Sequence, residues 1–286
     1  MKQSIGEGFT LDVLKSFTPV NRYFKLRSKG EDVELPEKQG KRELIKWVDS
    51  NPETISRKVS VILEHLLNNT IKSIELSREA EKIGVDGLLL TVPAYNKPTQ
   101  GGLLQHFEKI TSSVSIPGIL YNVPSRTSLN MELKTTLKLS RIPNIIGIKE
   151  ASSDLDQINY IIKNTDSDFN VWSGNDNETF SIVSTGGYGV VSVAGNIIST
   201  QVKKMIGLIL EGNIEFAARE HLRLLPLFNA LFFITNPIPI RYAINRSGFD
   251  VGPSRLPMIP SSEELGDFSK KFDPIIDQYQ IDLDHF

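Results

Sequence analysis

The sequence predicts an α/β fold, a (β/α)8 TIM barrel with a C-terminal helical extension, and three observations carry that expectation. The chain has 286 residues, which at roughly 150 residues per domain fits two domains or one barrel of about 250 residues with additions. From about residue 84 onward, apolar strand-like runs alternate with helical stretches, the mark of repeated βα units and a parallel sheet. After the fifth such run the pattern turns purely helical, which suits an appendage on a barrel.

Asp86 to Val92 is a continuous apolar run, as expected of a strand buried on both faces. Gly118 to Val123, Ile145 to Glu150, Asn170 to Gly174 and Gly189 to Ala194 repeat it. The starts lie 32, 27, 25 and 19 residues apart, room for one helix and two loops per step. Helices are expected over Leu103 to Ser112, Met131 to Ser140 behind the capping-type Asn130, Asp154 to Lys163, and Asp176 to Ser184. Val202 to Glu211, stopped by Gly212, then Ile214 to Phe232 and Pro239 to Ser247 form the helical tail. Gly186-Gly187-Tyr188-Gly189 is neither G-x-G-x-x-G nor a Walker sequence and precedes a strand, so it reads as a turn.

The expected division is residues 1–67 as an atypical segment standing where the first βα units belong, 68–198 as the remainder of the barrel, and 199–286 as the C-terminal helices. Charged side chains make up 22 of the first 67 residues against 44 of the remaining 219, so the composition shifts near residue 67. Only Val59-Ser60-Val61-Ile62-Leu63 resembles a buried strand there, whereas a barrel calls for three βα units before residue 84.

Composition narrows the function classes. Hydrophobic residues at 40% and charged residues at 23% are ordinary globular usage. Lys+Arg 32 against Asp+Glu 34 gives a net charge of -2, without the basic excess that phosphate backbones require, so no nucleic-acid partner is expected. Zero cysteine excludes disulfides, thiolate metal sites and a cysteine nucleophile. His65, His106, His221 and His285 are too scattered for a short two-histidine motif, so no metal is expected. No apolar run reaches the ~18 residues of a membrane span, and Met1 to Gly6 leads into no signal core. No membrane partner and a cytoplasmic location are expected.

Lys149 ends a β-branched run at the strand end where barrel enzymes keep their chemistry. It reads either as a lysine reaching from a strand end to solvent or as a desolvated amine able to form a Schiff base with a ketone. Spacing alone does not choose. Tyr121, one strand earlier, reads as a core tyrosine or as the acid/base that carbinolamine steps need. Arg126, in the loop five residues on, is a surface arginine or a fork for a substrate carboxylate.

Tyr121-Asn122-Val123-Pro124-Ser125-Arg126-Thr127, followed by Gly147-Ile148-Lys149-Glu150-Ala151, resembles the paired signature of the dihydrodipicolinate synthase family. That family belongs to the pyruvate-dependent class I aldolases, with the N-acetylneuraminate lyases. Pro93-Ala94-Tyr95-Asn96-Lys97-Pro98-Thr99-Gln100, Ser173-Gly174-Asn175-Asp176, Gly189-Val190-Val191-Ser192-Val193 and Asn236-Pro237-Ile238-Pro239 match in order, and the likeness runs from about Asn68 to the last helices. The resemblance implies that Lys149 forms an imine with pyruvate and that no separate cofactor is used. It implies that Tyr121 is the acid/base, that Tyr95 enters a neighbouring subunit's site, and that Arg126 binds the carboxylate of aspartate semialdehyde. Val191, through its carbonyl, and Gly174 line the pocket by the same likeness, and the usual assembly is a homotetramer built from dimers. The product would be 4-hydroxy-tetrahydrodipicolinate, for lysine and diaminopimelate synthesis. Arg126 favours this branch over an aldolase acting on a sugar acid.

The chain also departs from the family. The Gly-Thr-Thr-Gly-Glu segment that closes the second strand of relatives has no counterpart: Thr10, Thr18, Thr54 and Thr70 stand apart, and the pair Thr135-Thr136 falls in a helix. Phe17-Thr18-Pro19 is a faint trace of the opening strand. Residues 1–67 are therefore either a diverged segment or a shifted reading frame joined to a normal remainder, and a catalytically impaired barrel is the third reading beside synthase and sugar-acid aldolase. The missing hydroxyl leaves water, Ser50 or Thr54 to link the two tyrosines. Family members inhibited by lysine use an Asn, a Glu four residues later, and a Tyr before the relay tyrosine; here those places hold Asn68, Lys72 and Ala94, so lysine insensitivity is expected.

Overall fold

Six parallel strands in sequence order form the barrel wall of the computed structural model, which describes residues 26–28, 31–33, 62–65, 67–252 and 254–278. Ahead of them β1 (Leu26–Ser28) pairs antiparallel with β2 (Glu31–Val33). The wall runs β3 (Ile62–His65), β4 (Gly87–Thr91), β5 (Gly118–Asn122), β6 (Ile145–Glu150), β7 (Asn170–Ser173) and β8 (Gly189–Val190), each bonded to the next. These are six steps of a (β/α)8 barrel. The strand expected at 59–63 is seen from Ile62, and its first three residues lie outside the described ones, as do Thr10, Thr18, Ser50 and Thr54.

Between the strands lie α1 (Thr70–Lys82), α2 (Gln100–Thr111), the short α3 (Pro124–Thr127), α4 (Leu133–Leu139), α5 (Leu155–Asn164) and α6 (Thr179–Ser184). Caps explain several starts: Asn69, Thr99 and Asp154 each accept a backbone N–H three residues on. The wall is packed on both faces. Leu88, Leu90, Leu120, Ile148 and Val171 face outward onto Leu103, Phe107, Ile110, Leu139, Ile158 and Ile161 of the helices, each buried side chain contributing about 1.5–3 kcal/mol. Leu89, Ile119, Trp172 and Val191, with Ile62, Tyr121 and Ile146, fill the interior.

The tail is α7 (Ser199–Leu210), α8 (Ile214–Ala230), α9 (Ile238–Arg246) and α10 (Ser262–Gln278). Its core of Leu224, Leu227, Phe228, Phe268 and Phe272 joins the barrel through Val190 and Ala194.

Four sequence expectations are corrected. The fifth run keeps strand geometry only through Val190, because the Asp176 carboxylate captures the residues beyond it: the carboxylate accepts from the Ser192 hydroxyl and from Val193 N and Ala194 N, each of the latter at 3.0 Å. Asp176 to Ser184 is a 3₁₀ turn, Asp176–Glu178, before α6. Asn130 does not cap α4, since its side chain is engaged by Asn122 and Gln157 instead. The helix begun at Ile214 ends at Ala230, two residues before Phe232. Helix α10 adds to the expected tail. Ser261 and Glu264 bond each other's backbone N–H reciprocally, a capping box that stands in the sequence behind Pro257 and Pro260 and before Pro274. The glycine run turns at Gly186, φ 112°, and leads into β8 at Gly189.

Candidate active site

The position of Lys149 begins with an irregularity in β6. Gly118 pairs with Ile145 but Ile119 pairs with Gly147, so β6 carries one extra residue at Ile146. Ile145 packs outward and Ile146 inward; strict alternation would then turn Lys149 outward. The bulge shifts the phase, so Ile148 packs outward and Lys149 faces the interior. Gly147 permits it: a Cβ there would lie 2.1 Å from the Asn170 carbonyl oxygen and 2.6 Å from the Trp172 ring.

Thr91, Tyr121, Lys149 and Trp172 are register partners in succession across β4 to β7, one band around the interior near the C-terminal strand ends. Lys149 Nζ lies 3.8 Å from the centroid of the Tyr121 ring. Only 7% of Lys149 is exposed. Burial holds its ammonium below the usual lysine range, against the opposing charges of Glu64 and Asp176. Burial, then the Glu64 charge, pushes the Tyr121 phenol far above its ordinary value, with Arg126 pulling the other way. The amine is thus inclined to be neutral and the phenol to stay protonated.

Arg126 sits exposed in α3, directly after β5. Pro124 opens that turn and Ser128, at φ 57°, closes it, which sets the guanidinium near enough to Tyr121 for its charge to be felt. Gly174 N donates to the Glu150 carbonyl at 2.7 Å, and a Cβ there would lie 2.6 Å from Ala151 Cβ. Close strand approach therefore requires glycine. Val191 is buried in the interior cluster, its N–H donating to the Ser173 carbonyl at 2.9 Å.

Tyr95 stands apart from this group. It is 92% exposed at φ 73°, in a turn closed by Asn96 N donating to the Ala94 carbonyl at 2.9 Å. Such a backbone costs a tyrosine about 1–3 kcal/mol. The structure thus brings Lys149, Tyr121, Val191 and Trp172 together, sets Arg126 at the rim beyond β5, and leaves Tyr95 outside.

Three groups near the amine escape sequence reasoning. Glu64 faces the interior two residues after Ile62, and Thr91 Oγ1 donates to its Oε1 at 3.3 Å; the one charge at an alternate position of an apolar run is the available signal. Asp176, only 3% exposed, reads in the sequence as a helix start. Glu150, 0% exposed, has no signal beyond its place in the motif around Lys149. Among the described residues no group of three or more His, Asp or Glu is arranged to hold a metal.

Comparison with known proteins supplies the lineage. The pattern of the Dihydrodipicolinate synthetase family matches residues 27–272. A 4-hydroxy-tetrahydrodipicolinate synthase of Dehalococcoides mccartyi strain CBDB1 is 52% identical over 197 residues, 69% of this chain and 66% of that protein. One from Halalkalibacterium halodurans is 47% identical over 212 residues, 74% of this chain and 72% of that one. The chain thus spans about two thirds of the first relative's length. The crystal structure of dihydrodipicolinate synthase from Thermotoga maritima superposes with a TM-score of 0.77 at 37% identity, covering 85% of this chain and 83% of that one. The enzyme from Cyanidioschyzon merolae with lysine bound gives 0.78 at 38% identity, over 84% and 80% of the two chains. A structure described as the first monomeric dihydrodipicolinate synthase variant gives 0.77 at 38%, over 85% and 82%. Family pattern, sequence relatives and barrel architecture agree: the chain belongs to the dihydrodipicolinate synthetase family.

Proposed function

We propose that this chain condenses pyruvate with aspartate semialdehyde to 4-hydroxy-tetrahydrodipicolinate, a lyase of lysine and diaminopimelate biosynthesis, through an imine on Lys149 and without a separate cofactor. The observation that carries the reading is the buried Lys149 amine set 3.8 Å over the Tyr121 ring at the C-terminal end of β6. The neutral amine attacks the ketone carbon of pyruvate, and the carbinolamine loses its hydroxyl as water once a proton is supplied. Tyr121, held as a phenol, supplies that proton and recovers one when the pyruvate methyl group is deprotonated to the enamine. The enamine carbon then bonds to the aldehyde carbon of the second substrate, whose oxygen takes a proton. The substrate's own amine displaces Lys149 from the imine, closing the ring and freeing the enzyme, so one water is released overall.

Arg126 receives the semialdehyde carboxylate at the rim, and the Val191 carbonyl and Gly174 line the pocket. Thr91 and Glu64 are described interior groups able to pass protons onward from Tyr121. Tyr95 completes a neighbouring subunit's site in a homotetramer built from dimers, which accounts for a fully exposed ring on a strained backbone. A cytoplasmic location accords with the absence, among the described residues, of any helix long and apolar enough to cross a membrane.

Incubation with pyruvate and borohydride tests the reading. Peptide mass spectrometry is expected to find a reduced three-carbon adduct on Lys149, and none in Lys149→Ala. Labelling of another lysine would overturn it.

A further inference from the structure

Directly behind Lys149 and Tyr121, the next residue of each strand forms a second pair on the opposite face of the wall. Asn122 and Glu150 are register partners, and both are 0% exposed. Asn122 Nδ2 donates to Glu150 Oε1 at 3.0 Å and Oε2 at 3.2 Å, and to Asn130 Oδ1 at 2.7 Å. Its Oδ1 accepts from Met131 N at 3.0 Å. Glu150 Oε1 also accepts from Ser152 N at 2.9 Å, and Oε2 from Gln157 Nε2 at 3.5 Å. Neither partner of this pair reaches the interior where the proposed chemistry takes place.

A carboxyl buried without a paired cation is costly unless donors converge on it. Here they come from β5, from its own loop and from α5, and none of these partners titrates. That convergence has a mechanical consequence. A strand residue and its successor point to opposite faces, so fixing Asn122 and Glu150 to each other fixes the rotation of both strand ends about their axes. That rotation decides how Tyr121 and Lys149 point inward.

We propose that Glu150 is a positioning residue, which with Asn122 clamps the ends of β5 and β6 from outside the barrel and so holds the Lys149 amine over the Tyr121 ring. The inference rests on the reading of Lys149 as the imine-forming residue. Burial pushes the Glu150 carboxyl up to about 7, with Asn122, Ser152 and Gln157 drawing it back. The clamp therefore weakens as that carboxyl takes a proton and surrenders an acceptor.

Glu150→Gln sets an amide N–H against either Asn122 Nδ2 or Ser152 N, donor facing donor. The expected result is a fall of about 10²-fold in kcat and in the rate of borohydride-trappable imine formation, since a displacement of about 1 Å suffices for that, while KM for pyruvate changes little. The acid limb of kcat near pH 7 should vanish with it. In the double variant Glu150→Gln with Asn122→Asp, the amide and carboxylate exchange places and the introduced amide oxygen still accepts from Ser152 N; the Asn130 and Gln157 amides, which meet at 2.9 Å, turn over together so that Asn130 donates to the introduced carboxylate, and at least about tenfold of the lost rate should return. Circular dichroism and urea unfolding report whether each variant folds, and the double variant carries the test where the single one does not. Imine formation in Glu150→Gln within about twofold of the parent rate, or a double variant no faster than the single, overturns the clamp. If the parent chain itself takes no label from pyruvate at Lys149, the reaction is overturned, and the clamp with it.

Discussion

The two faces of the wall at β5 and β6 handle buried polar groups in opposite ways. On the outer face Glu150 gathers donors from three places and Asn122 uses both ends of its amide. On the inner face, one residue earlier, Lys149 rests against an aromatic ring, and among the described residues no hydrogen bond reaches its Nζ. A satisfied group is held still, whereas an amine buried against an aromatic ring loses its proton more easily than one in water. The proposed reaction uses the second kind and depends on the first to keep it in place.

Tyr121→Phe carries the largest expected effect. The ring under Lys149 remains, so its packing against the amine is kept, but the phenolic proton is lost. A fall in kcat of about 10²–10⁴-fold is expected, with cooperative unfolding preserved. Steady-state rates beside a urea titration separate the two, and an unchanged kcat would remove Tyr121 from the chemistry. Arg126 comes next. Replacing it by Met should raise KM for aspartate semialdehyde, losing about 10- to 100-fold in kcat/KM, as a charge-assisted hydrogen bond of about 1.5–3 kcal/mol implies. Pyruvate labelling of Lys149 should be untouched. Equal loss with both substrates would place Arg126 in the fold rather than at the second substrate.

How much of this contrast can be read from the sequence depends on which residue is asked. The strands, their parallel order and the helices between them come from apolar runs at steady spacing, because local burial sets that pattern. The strand end that carries Lys149 is legible as well. Its inward direction is not, since it depends on β5 skipping Ile146 in its pairing, a relation between two strands. Asp176 passes for a helix start because the amides it captures lie 17 and 18 residues onward. Glu64 requires knowing that Ile62 faces inward. For Tyr95 the ring's isolation is visible only in three dimensions, as backbone at φ 73° with the side chain 92% exposed. The segment at 1–67 shows the converse: its composition announces a departure, and its described part supplies one antiparallel pair and one barrel strand.

On the outer face Glu150 also links stability to pH, a smaller effect. Burial pushes the native Glu150 carboxyl up to about 7 from its ordinary 4.5, so between those pH values the folded chain holds a proton that the unfolded chain releases. This group's contribution to stability is therefore complete below the lower value, declines as pH rises, and is gone above the upper one. Its size is about 3 kcal/mol. Urea unfolding of the parent chain and of Glu150→Gln between pH 4.5 and pH 8 should differ in slope by that contribution, and parallel curves would show that burial of Glu150 sets no such linkage.

The smallest expected effect is none at all: free lysine at millimolar concentration should leave the initial rate unchanged. The resemblance read from the sequence places Lys72 where lysine-inhibited family members are expected to carry the carboxylate for the effector's amine. Lys72 is 67% exposed and its Nζ meets Glu75 at 2.7 Å, one turn along α1. Glu75 is not a substitute acceptor. It is itself 57% exposed, so a pair with the effector would be worth at most about 1 kcal/mol, and it already faces an ammonium that repels a second one. Asn68 is held in place as well, its side-chain Nδ2 donating to the Ala94 carbonyl at 3.4 Å and its backbone carbonyl accepting from Asn96 Nδ2 at 2.9 Å. At position 94 a methyl group replaces the ring and hydroxyl that would cover the effector. Initial rates with pyruvate and aspartate semialdehyde, with and without lysine, decide it; partial saturable inhibition would mean that a different acid has taken over the effector's amine, and Lys72→Glu should then leave the response unchanged instead of creating one.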